Sequence, residues 1–443
     1  MQTIIACTTP LGYSGIAVLR ISGTEAFSIA SKLIEKQATW QHRQASLYRI
    51  RDQAGEEVDQ CIFLAFQEPN SFTGEDVVEI SCHGNPLIVD RIVELAIAYG
   101  ARLARNGEFS RRAVMNGKLS LLKAEALHQV IHASSLEGVS LAQKGLSGGV
   151  DQNEEEIRES LLEICAEIEA EMDYPQEELS NNSDEETAER LLDIARRARE
   201  AAESFRSNKT RLQGASVVIL GPVNAGKSSL FNHLVGTKRA IVSSRPGTTR
   251  DIIERRILFE GIEICFFDTA GIRFDTTDTI EKEGIQMGLE LAHAADLCLL
   301  LCPASHQDIG VIAGLRDKIG EIPSIMIASH SDLQPKPTFT HDVLLSNKTG
   351  QGISALRTMI RMKLGLQESR ESQWIALSQR QYELFLAIAE HTELAAEAVV
   401  GFLGPVVAAE EITQALERLA ELRGESAREA VLDRLFSKFC IGK

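Results

Sequence analysis

The sequence predicts a multidomain α/β chain: an α+β domain at the N-terminus, then a helical domain with a second α/β domain inserted in it. Three observations lead there. Up to about residue 118, short β-like runs alternate with turns and helical stretches. A helical apolar period then takes over to about residue 210 and returns near the C-terminus. Between these helical regions, almost wholly apolar runs alternate with helices, the signature of parallel strands buried on both faces. The expected boundaries are 1–118, 119–210, 211–367 and 368–443, with the second and fourth segments forming one helical domain.

Each element follows from its residues. In the first region TIIACTTP, GIAVLRISG, CIFLAFQ and DVVEISCHG read as strands, and PLIVDRIVELAIAYG as a helix. In the second, Ile157, Leu161, Ile164, Ile168 and Met172 recur at helical spacing. A further helix opens at Ser183-Asp184-Glu185-Glu186, a capping box in which hydroxyl and carboxylate satisfy free backbone N–H groups. Leu191, Ile194, Ala198, Ala201 and Phe205 make its buried stripe. The acidic runs NEEE and SDEE read as solvated faces at helix N-termini. SVVIL, EICFFDTAG, LCLLLC and SIMIAS are the buried strands of the inserted domain. Near the end, Ser426 and Glu429 form a second capping box before the stripe Leu432, Leu435, Phe436 and Phe439.

Composition narrows the class. A chain of 443 residues exceeds one ordinary core. At 44% hydrophobic and 25% charged it is globular, and no apolar run reaches the roughly 18 residues a membrane span needs. The N-terminal MQTIIACTTPLGYSG lacks a basic stretch before its apolar run, so it reads as a strand and not a signal peptide. The eight cysteines form no CxxC pair, which implies a reducing, cytoplasmic setting. Cys265, Cys298 and Cys302 lie in apolar runs as core fillers. A net charge of −17 argues against broad, nonspecific nucleic-acid binding.

The chemistry is concentrated in the inserted domain. Gly221-Pro222-Val223-Asn224-Ala225-Gly226-Lys227-Ser228 fits G-x-x-x-x-G-K-S, preceded by the strand SVVIL and followed by the helix SSLFNHLV. Its glycines let backbone N–H groups face phosphate oxygens, and the helix N-terminus adds partial positive charge. Lys227 can reach the outer phosphates, and the Ser228 hydroxyl can bind magnesium. Asp268-Thr269-Ala270-Gly271 follows a strand, where Asp268 can hold magnesium through water and Gly271 N–H can meet the γ-phosphate. Upstream, Gly247-Thr248-Thr249-Arg250-Asp251 supplies Thr249 as a second magnesium ligand.

Base recognition departs from the usual pattern. GTPases carry Asn-Lys-x-Asp after the next strand, whereas this chain has Ser329-His330-Ser331-Asp332. Asp332 can accept the guanine N1–H and N2–H groups. Ser329 lacks the two-sided amide, and His330 cannot lay a lysine stem over the base. The loop Ser346-Asn347-Lys348 stands where a backbone N–H meets guanine O6. Guanine is the favoured base, with weakened binding. Ile272 stands where many GTPases place a water-orienting Gln, and spacing does not choose among Asp275, Asp278, Glu281 and Glu283 as its replacement.

The whole chain resembles the bacterial MnmE (TrmE) family of tRNA-modification GTPases. The resemblance rests on Arg20-Ile-Ser-Gly, Ser71-Phe-Thr-Gly-Glu-Asp-Val-Val-Glu79, Gly107-Glu-Phe-Ser, Asn116-Gly117-Lys118-Leu119, Pro-Val-Asn224-Ala-Gly-Lys and the terminal Phe439-Cys440-Ile441-Gly442-Lys443. It implies a tetrahydrofolate-binding-like N-terminal domain that also dimerises, a helical domain, and an inserted Ras-like phosphate-loop GTPase domain. Arg20, Glu79, Lys118 and Lys443 match positions that bind 5-formyltetrahydrofolate or a related one-carbon folate. Physically, a folate needs cations for its glutamate tail and a carboxylate for its pterin N–H groups.

The resemblance also implies the GTP site. It comprises Asn224, Ala225, Gly226, Lys227, Ser228 and Ser229 from the phosphate loop, and Ser243, Ser244, Arg245, Pro246, Gly247, Thr248 and Thr249 from the switch loop. Asp268, Thr269, Ala270, Gly271, Asp332, Ser346, Asn347 and Lys348 complete it. A potassium ion held by Asn224, Ser243, the Arg245 carbonyl and Thr248 takes the place of an arginine finger. Glu281, in Glu-Lys-Glu-Gly-Ile, matches the catalytic carboxylate that positions water, although one extra residue separates it from Gly271. Cys440 lies near the folate site as a reactive or a structural thiol. The implied partner is the flavoprotein MnmG (GidA). Together the two install a carboxymethylaminomethyl or aminomethyl group at C5 of the wobble uridine of tRNAs. Asn106 and Ser120 depart from the family's Pro and Asp. The alternative, a ribosome-assembly GTPase resembling Era or Der, shares the Pro-Gly-Thr-Thr-Arg-Asp run. It would need a basic RNA-binding module, whereas the appended regions here are acidic and helical.

Overall fold

The computed structural model describes residues 2–34, 38–173, 183–222, 224–235, 253–268, 289–305, 309–333, 337, 339–366, 374–401, 403–425, 429–439 and 441–442. In chain order the N-terminal region contains β1 (Ile4–Cys7), β2 (Ser14–Ser22), α1 (Ala26–Leu33), β3 (Ala45–Arg51), β4 (Glu57–Phe66), β5 (Val77–Gly84), α2 (Pro86–Ala98), β6 (Arg102–Leu103) and α3 (Glu108–Met115). The helices α4 (Leu121–His132), α5 (Leu136–Leu146), α6 (Gly149–Asp173) and α7 (Asp184–Gln213) follow. Next come β7 (Ala215–Leu220), α8 (Lys227–Val235), β8 (Ile253–Phe259), β9 (Ile262–Asp268), β10 (Leu297–Pro303), α9 (Ile309–Ile319), β11 (Ser324–Ser329), β12 (Val343–Leu344) and α10 (Ile353–Lys363). The chain closes with α11 (Gln379–Val400), α12 (Gly404–Arg423) and α13 (Glu429–Phe436).

These elements form two compact units, one of residues 1–128, 154–194 and 387–443, the other of 129–153 and 195–386. In the first, a six-stranded sheet runs in the order β3-β4-β5-β2-β1-β6. Ile5, Leu19, Phe63 and Ile80 point to one face and share a core with α1 and α2. The α1 and α2 stripes supply Ile29, Leu33, Ile92 and Leu95, all nearly fully buried. The strand β3 was not read from sequence. Its ASLYRIR carries two arginines and leaves alternate residues exposed, as suits an edge strand.

The C-terminal stripe folds back onto this unit. Phe436 and Phe439 are buried with Leu121 and Ala124, while Leu432 and Leu435 pack against them half-buried. The capping box at Ser183 forms as its residues dictate: Ser183 N–H donates to Glu186 Oε2 at 3.1 Å, and Glu186 N–H donates to Ser183 Oγ at 3.3 Å. The stripe of α6 holds at Ile157, Leu161, Ile164 and Ile168, but Met172 is 40% exposed. It lies in the last turn of its helix, where the core it would face has ended. The second capping box, at Ser426, lies outside the described residues.

In the second unit the sheet order is β12-β11-β10-β7-β9-β8. Adjacent strands from β12 to β9 pair parallel, and only β8 joins antiparallel, at the edge. Val217, Ile219, Leu299 and Ile327 face one core and Val218, Leu300 and Cys302 the other, so the central strands are apolar along their whole length. Cys298 and Cys302 are buried fillers as expected, whereas Cys265 is only half-buried. No helix among the described residues is long and apolar enough to cross a membrane.

Candidate functional site

The phosphate loop leaves the C-terminal end of β7, the strand flanked by β10 and β9, and enters α8. In open parallel sheets this carboxyl edge is where ligands bind. Asn224 adopts φ +62° and Gly226 φ +91°, turning the loop sharply before the helix. A side chain at position 226 would be strained by this φ, and its Cβ, 2.8 Å from Asn347 Nδ2 and 3.3 Å from His330 Nε2, would force those side chains to shift. Lys227 Nζ donates to the carbonyl oxygens of Gly221 at 2.7 Å and Pro222 at 2.9 Å, so its ammonium is held over the loop. Ser228 and Ser229 are exposed on the first turn of α8. Asp268 ends β9 opposite Ile219, close in register to the loop, although its side chain lies outside the described residues.

The base-recognition segments are bonded to this loop. The Ser329 hydroxyl donates to Ala225 O at 2.8 Å, and Asn347 Nδ2 donates to Gly226 O at 3.0 Å. His233 Nε2, from α8, bonds Asn347 O at 2.6 Å. Asp332 is exposed, and the Ser346 hydroxyl donates to its Oδ1 at 2.8 Å. That bond, helped by the nearby Lys348 and His330, holds the Asp332 carboxyl below the usual carboxylate range and so ionised. Ser229, Asn232, His233, His330, Asp332, Asn347 and Lys348 together line a cavity of about 670 Å³. The structure thus brings Ser229, Asp332, Asn347 and Lys348 to one site as the sequence implied. Asn232 and His233 were missed. Their signal was positional, since they follow the loop within two turns of the same helix.

Of the remaining nucleotide and metal residues, Ser243, Ser244, Arg245, Pro246, Gly247, Thr248, Thr249, Thr269, Ala270, Gly271 and Glu281 lie outside the described residues.

A second constellation lies in the first unit. Arg20 on β2 and Glu79 on β5 are register partners, and Arg20 Nη2 meets Glu79 Oε1 at 2.7 Å. The Arg20 guanidinium also lies over the rings of Phe72 and Phe109, at 5.3 and 5.6 Å from their centroids. Lys118 reaches the same loop through its stem, since a Cβ on Gly74 would fall 3.0 Å from Lys118 Cγ. The C-terminal tail arrives beside β1. Gly442 has φ +95°, and a Cβ there would lie 2.5 Å from Cys7 O and 2.8 Å from Thr8 Cα. Cys7 pairs with Leu19 and Ala6 with Arg20, so the tail comes in next to the Arg20 register. Cys440 and Lys443 themselves lie outside the described residues. Phe72 and Phe109 were not read from sequence as part of this group. Phe109 lies within Gly107-Glu-Phe-Ser, and Phe72 within Ser71-Phe-Thr-Gly.

Comparison with known proteins shows the family to which the chain belongs. Residues 3–118 match the family model described as "GTP-binding protein TrmE N-terminus", and residues 121–440 match "MnmE helical domain". A tRNA modification GTPase MnmE of Thermotoga maritima is 34% identical over 453 residues, spanning all of both chains. One from Prochlorococcus marinus (strain MIT 9303) is 36% identical over 466 residues, covering 100% of this chain and 98% of the relative. The Legionella pneumophila (strain Paris) protein of the same name is 36% identical over 449 residues, again spanning both chains. With full-length identity of this order and family models that together cover nearly every residue, the chain belongs to the MnmE (TrmE) family of tRNA modification GTPases.

Proposed function

We propose that this chain binds and hydrolyses GTP, and that with a flavin-dependent partner of the MnmG type it installs a carboxymethylaminomethyl or aminomethyl group at C5 of the wobble uridine of tRNAs. The observation that carries the hydrolase assignment is the phosphate loop, bonded at Ala225 and Gly226 to Ser329 and Asn347, beside a cavity that Asn347 and the ionised Asp332 line. An exposed carboxylate facing a cavity suits the guanine N1–H and N2–H pair, which adenine cannot offer. Lys227, held over the loop by its bonds to Gly221 O and Pro222 O, supplies a cation for the outer phosphates, and Ser228 a hydroxyl for magnesium.

Potassium is the proposed activator, held by Asn224, Ser243, Arg245 and Thr248. Asn224 supports this in part: its left-handed backbone is costly for a residue with a Cβ, and such conformations cluster at ligand sites. A cation among the phosphates stabilises the charge that develops as the γ-phosphoryl group departs. Glu281 is the proposed water-positioning carboxylate.

The first unit is proposed to bind a formyl-folate. Arg20, Glu79 and Lys118 supply the two charge signs such a ligand needs, and Phe72 adds a partly exposed aromatic face beside them. The same unit is proposed to dimerise. Leu47 and Ile62 are cross-strand partners, 59% and 48% exposed, and the row continues through Ser81 to Val18 on the sheet face away from α1 and α2. Apolar residues grouped on an open sheet face favour burial against a second copy. The setting is proposed to be cytoplasmic, as its tRNA substrate and free thiols suit.

Phosphate release by the purified full chain tests the hydrolase reading. GTP and not ATP is expected to be hydrolysed, faster in potassium chloride than in sodium chloride at matched ionic strength. Equal rates in the two salts would remove potassium from the scheme, and equal rates with ATP would remove guanine selectivity.

A further inference from the structure

The first unit holds a second cavity, of about 470 Å³, between the start of α3 and the end of α13. That volume lies within the range of small-ligand pockets, about 300–1,000 Å³. Its lining includes three arginines, Arg102, Arg105 and Arg111, and two carboxylates, Glu108 and Asp433. The two walls are joined at the rim, where Asn106 Nδ2 donates to Ser437 O at 3.2 Å.

The carboxylates do not cancel the guanidiniums. Glu108 is 7% exposed and accepts from Arg102 Nη1 at 2.8 Å, Arg105 N–H at 2.8 Å and Arg112 Nη2 at 3.0 Å. Burial raises its carboxyl, but the bonds from Arg102, Arg105 N–H and Arg112 outweigh this and hold it at about 2. Glu108 is therefore ionised and fully engaged. Arg112 has a second carboxylate in Glu75, 2.9 Å from its Nη1. Arg102 and Arg112 are thus balanced by Glu108 and Glu75. Arg111 meets Asp433 at 3.4 Å, a loose pair whose acid is 61% exposed and which water screens. The exposed Arg105 side chain makes no hydrogen bond or ion pair among the described residues, so its charge is in surplus.

A cavity with guanidinium donors to spare suits an anion with several oxygens. A guanidinium fork matches two oxygens of one phosphate. In a chain of net charge −17 a polyanion settles where positive charge is local. The wall formed by α13 leads into the C-terminal tail, which reaches β1 beside the Arg20 register. We propose that this cavity holds a backbone phosphate of the tRNA, with Arg105 and Arg111 donating to its oxygens. The proposal rests on the tRNA-modification reading above and adds to it a place where the RNA is gripped. Such a contact sets the position of the RNA without reading its sequence.

Fluorescence anisotropy with an unmodified tRNA transcript and the full chain, repeated over a salt series, tests this. Arg105→Gln removes a charge and strands no partner. Arg316→Gln, an exposed position on α9 in the second unit, makes the same charge change elsewhere. Arg105→Gln is expected to weaken tRNA binding about fivefold at about 0.1 M salt and to lower the slope of log affinity against log salt by about one. Arg105→Lys is expected to keep the parent slope, Arg316→Gln to keep both affinity and slope, and Arg105→Gln to melt with the parent. Parent-like affinity and slope in Arg105→Gln overturn the proposal, as does an equal change in Arg316→Gln, which would report net charge and not a site. Unchanged tRNA affinity with weaker binding of a polyglutamate peptide in the same assay would assign the cavity to an acidic protein segment instead. A parent chain that binds no tRNA overturns the substrate reading itself, and this inference falls with it.

Discussion

The Ser329 hydroxyl donates to the carbonyl oxygen of Ala225 at 2.8 Å, joining the end of β11 to the phosphate loop across a sequence separation of 104. Ser329 is fully buried and so is Ala225, so neither group has water as a substitute partner. Ser329 stands where GTPases usually carry Asn. The structure shows that the shorter side chain still anchors the loop.

Ser329→Ala leaves the Ala225 carbonyl buried without its donor. Such a loss typically costs about 1–3 kcal/mol. A lower melting temperature and weaker GTP binding are both expected, measured by thermal denaturation and calorimetry. If neither changes, the bond is not an anchor.

Much of this was legible in the sequence, for identifiable reasons. Ser229, Asp332, Asn347 and Lys348 sit in or beside short motifs whose chemistry sets their order along the chain, and they line one cavity. The apolar stripe at Phe436 and Phe439 announced a docked last helix. The partner of Ser329 was not legible. It depends on two segments brought together by the parallel sheet, and sequence spacing carries no signal for that. Met172 was misread because periodicity does not report where a core ends, and β3 was missed because an edge strand needs little apolar character.

Glu281→Ala is expected to reduce hydrolysis by about a hundredfold or more, since a group that positions water acts mainly in the transition state. GDP affinity is expected to stay within error of the parent. Single-turnover hydrolysis of the variant decides it. If Asp278→Ala is crippled while Glu281→Ala is normal, the extra residue after Gly271 has shifted the catalytic position to Asp278.

Glu154 gives a pH signature. It is 1% exposed, and Arg423 Nε lies 3.1 Å from its Oε2. Burial pushes its carboxyl from the ordinary 4.5 up to about 7, opposed by Arg423 and reinforced by the neighbouring Glu155 and Glu425. The folded chain therefore keeps a proton that the unfolded chain releases. The stability this confers is complete below pH 4.5 and is lost as pH rises through about 7. The loss is at most about 3 kcal/mol. Glu154→Gln is expected to flatten the fall in melting temperature between pH 5 and pH 8, windows set by those two values. An unchanged slope in the variant places the titration elsewhere.

Truncating the C-terminal tail is expected to separate GTP hydrolysis from folate binding. Gly442 packs against the Cys7 carbonyl, beside the register of Arg20 and Glu79. Deleting residues 440–443 is expected to leave GTP hydrolysis near the parent rate while weakening 5-formyltetrahydrofolate binding at least tenfold, as loss of an ion-paired contact would. Calorimetry with the folate and a hydrolysis assay on the same preparation measure both. Parent-like folate affinity in the truncated chain would exclude the tail from that site.

The most direct test of the whole account is nucleoside mass spectrometry of tRNA from cells lacking this protein. The C5-modified wobble uridine is expected to disappear, to return when the full chain is restored, and to stay absent when the restored chain carries Glu281→Ala. An unchanged nucleoside profile in the deletion strain would contradict the assignment of this chain to tRNA modification.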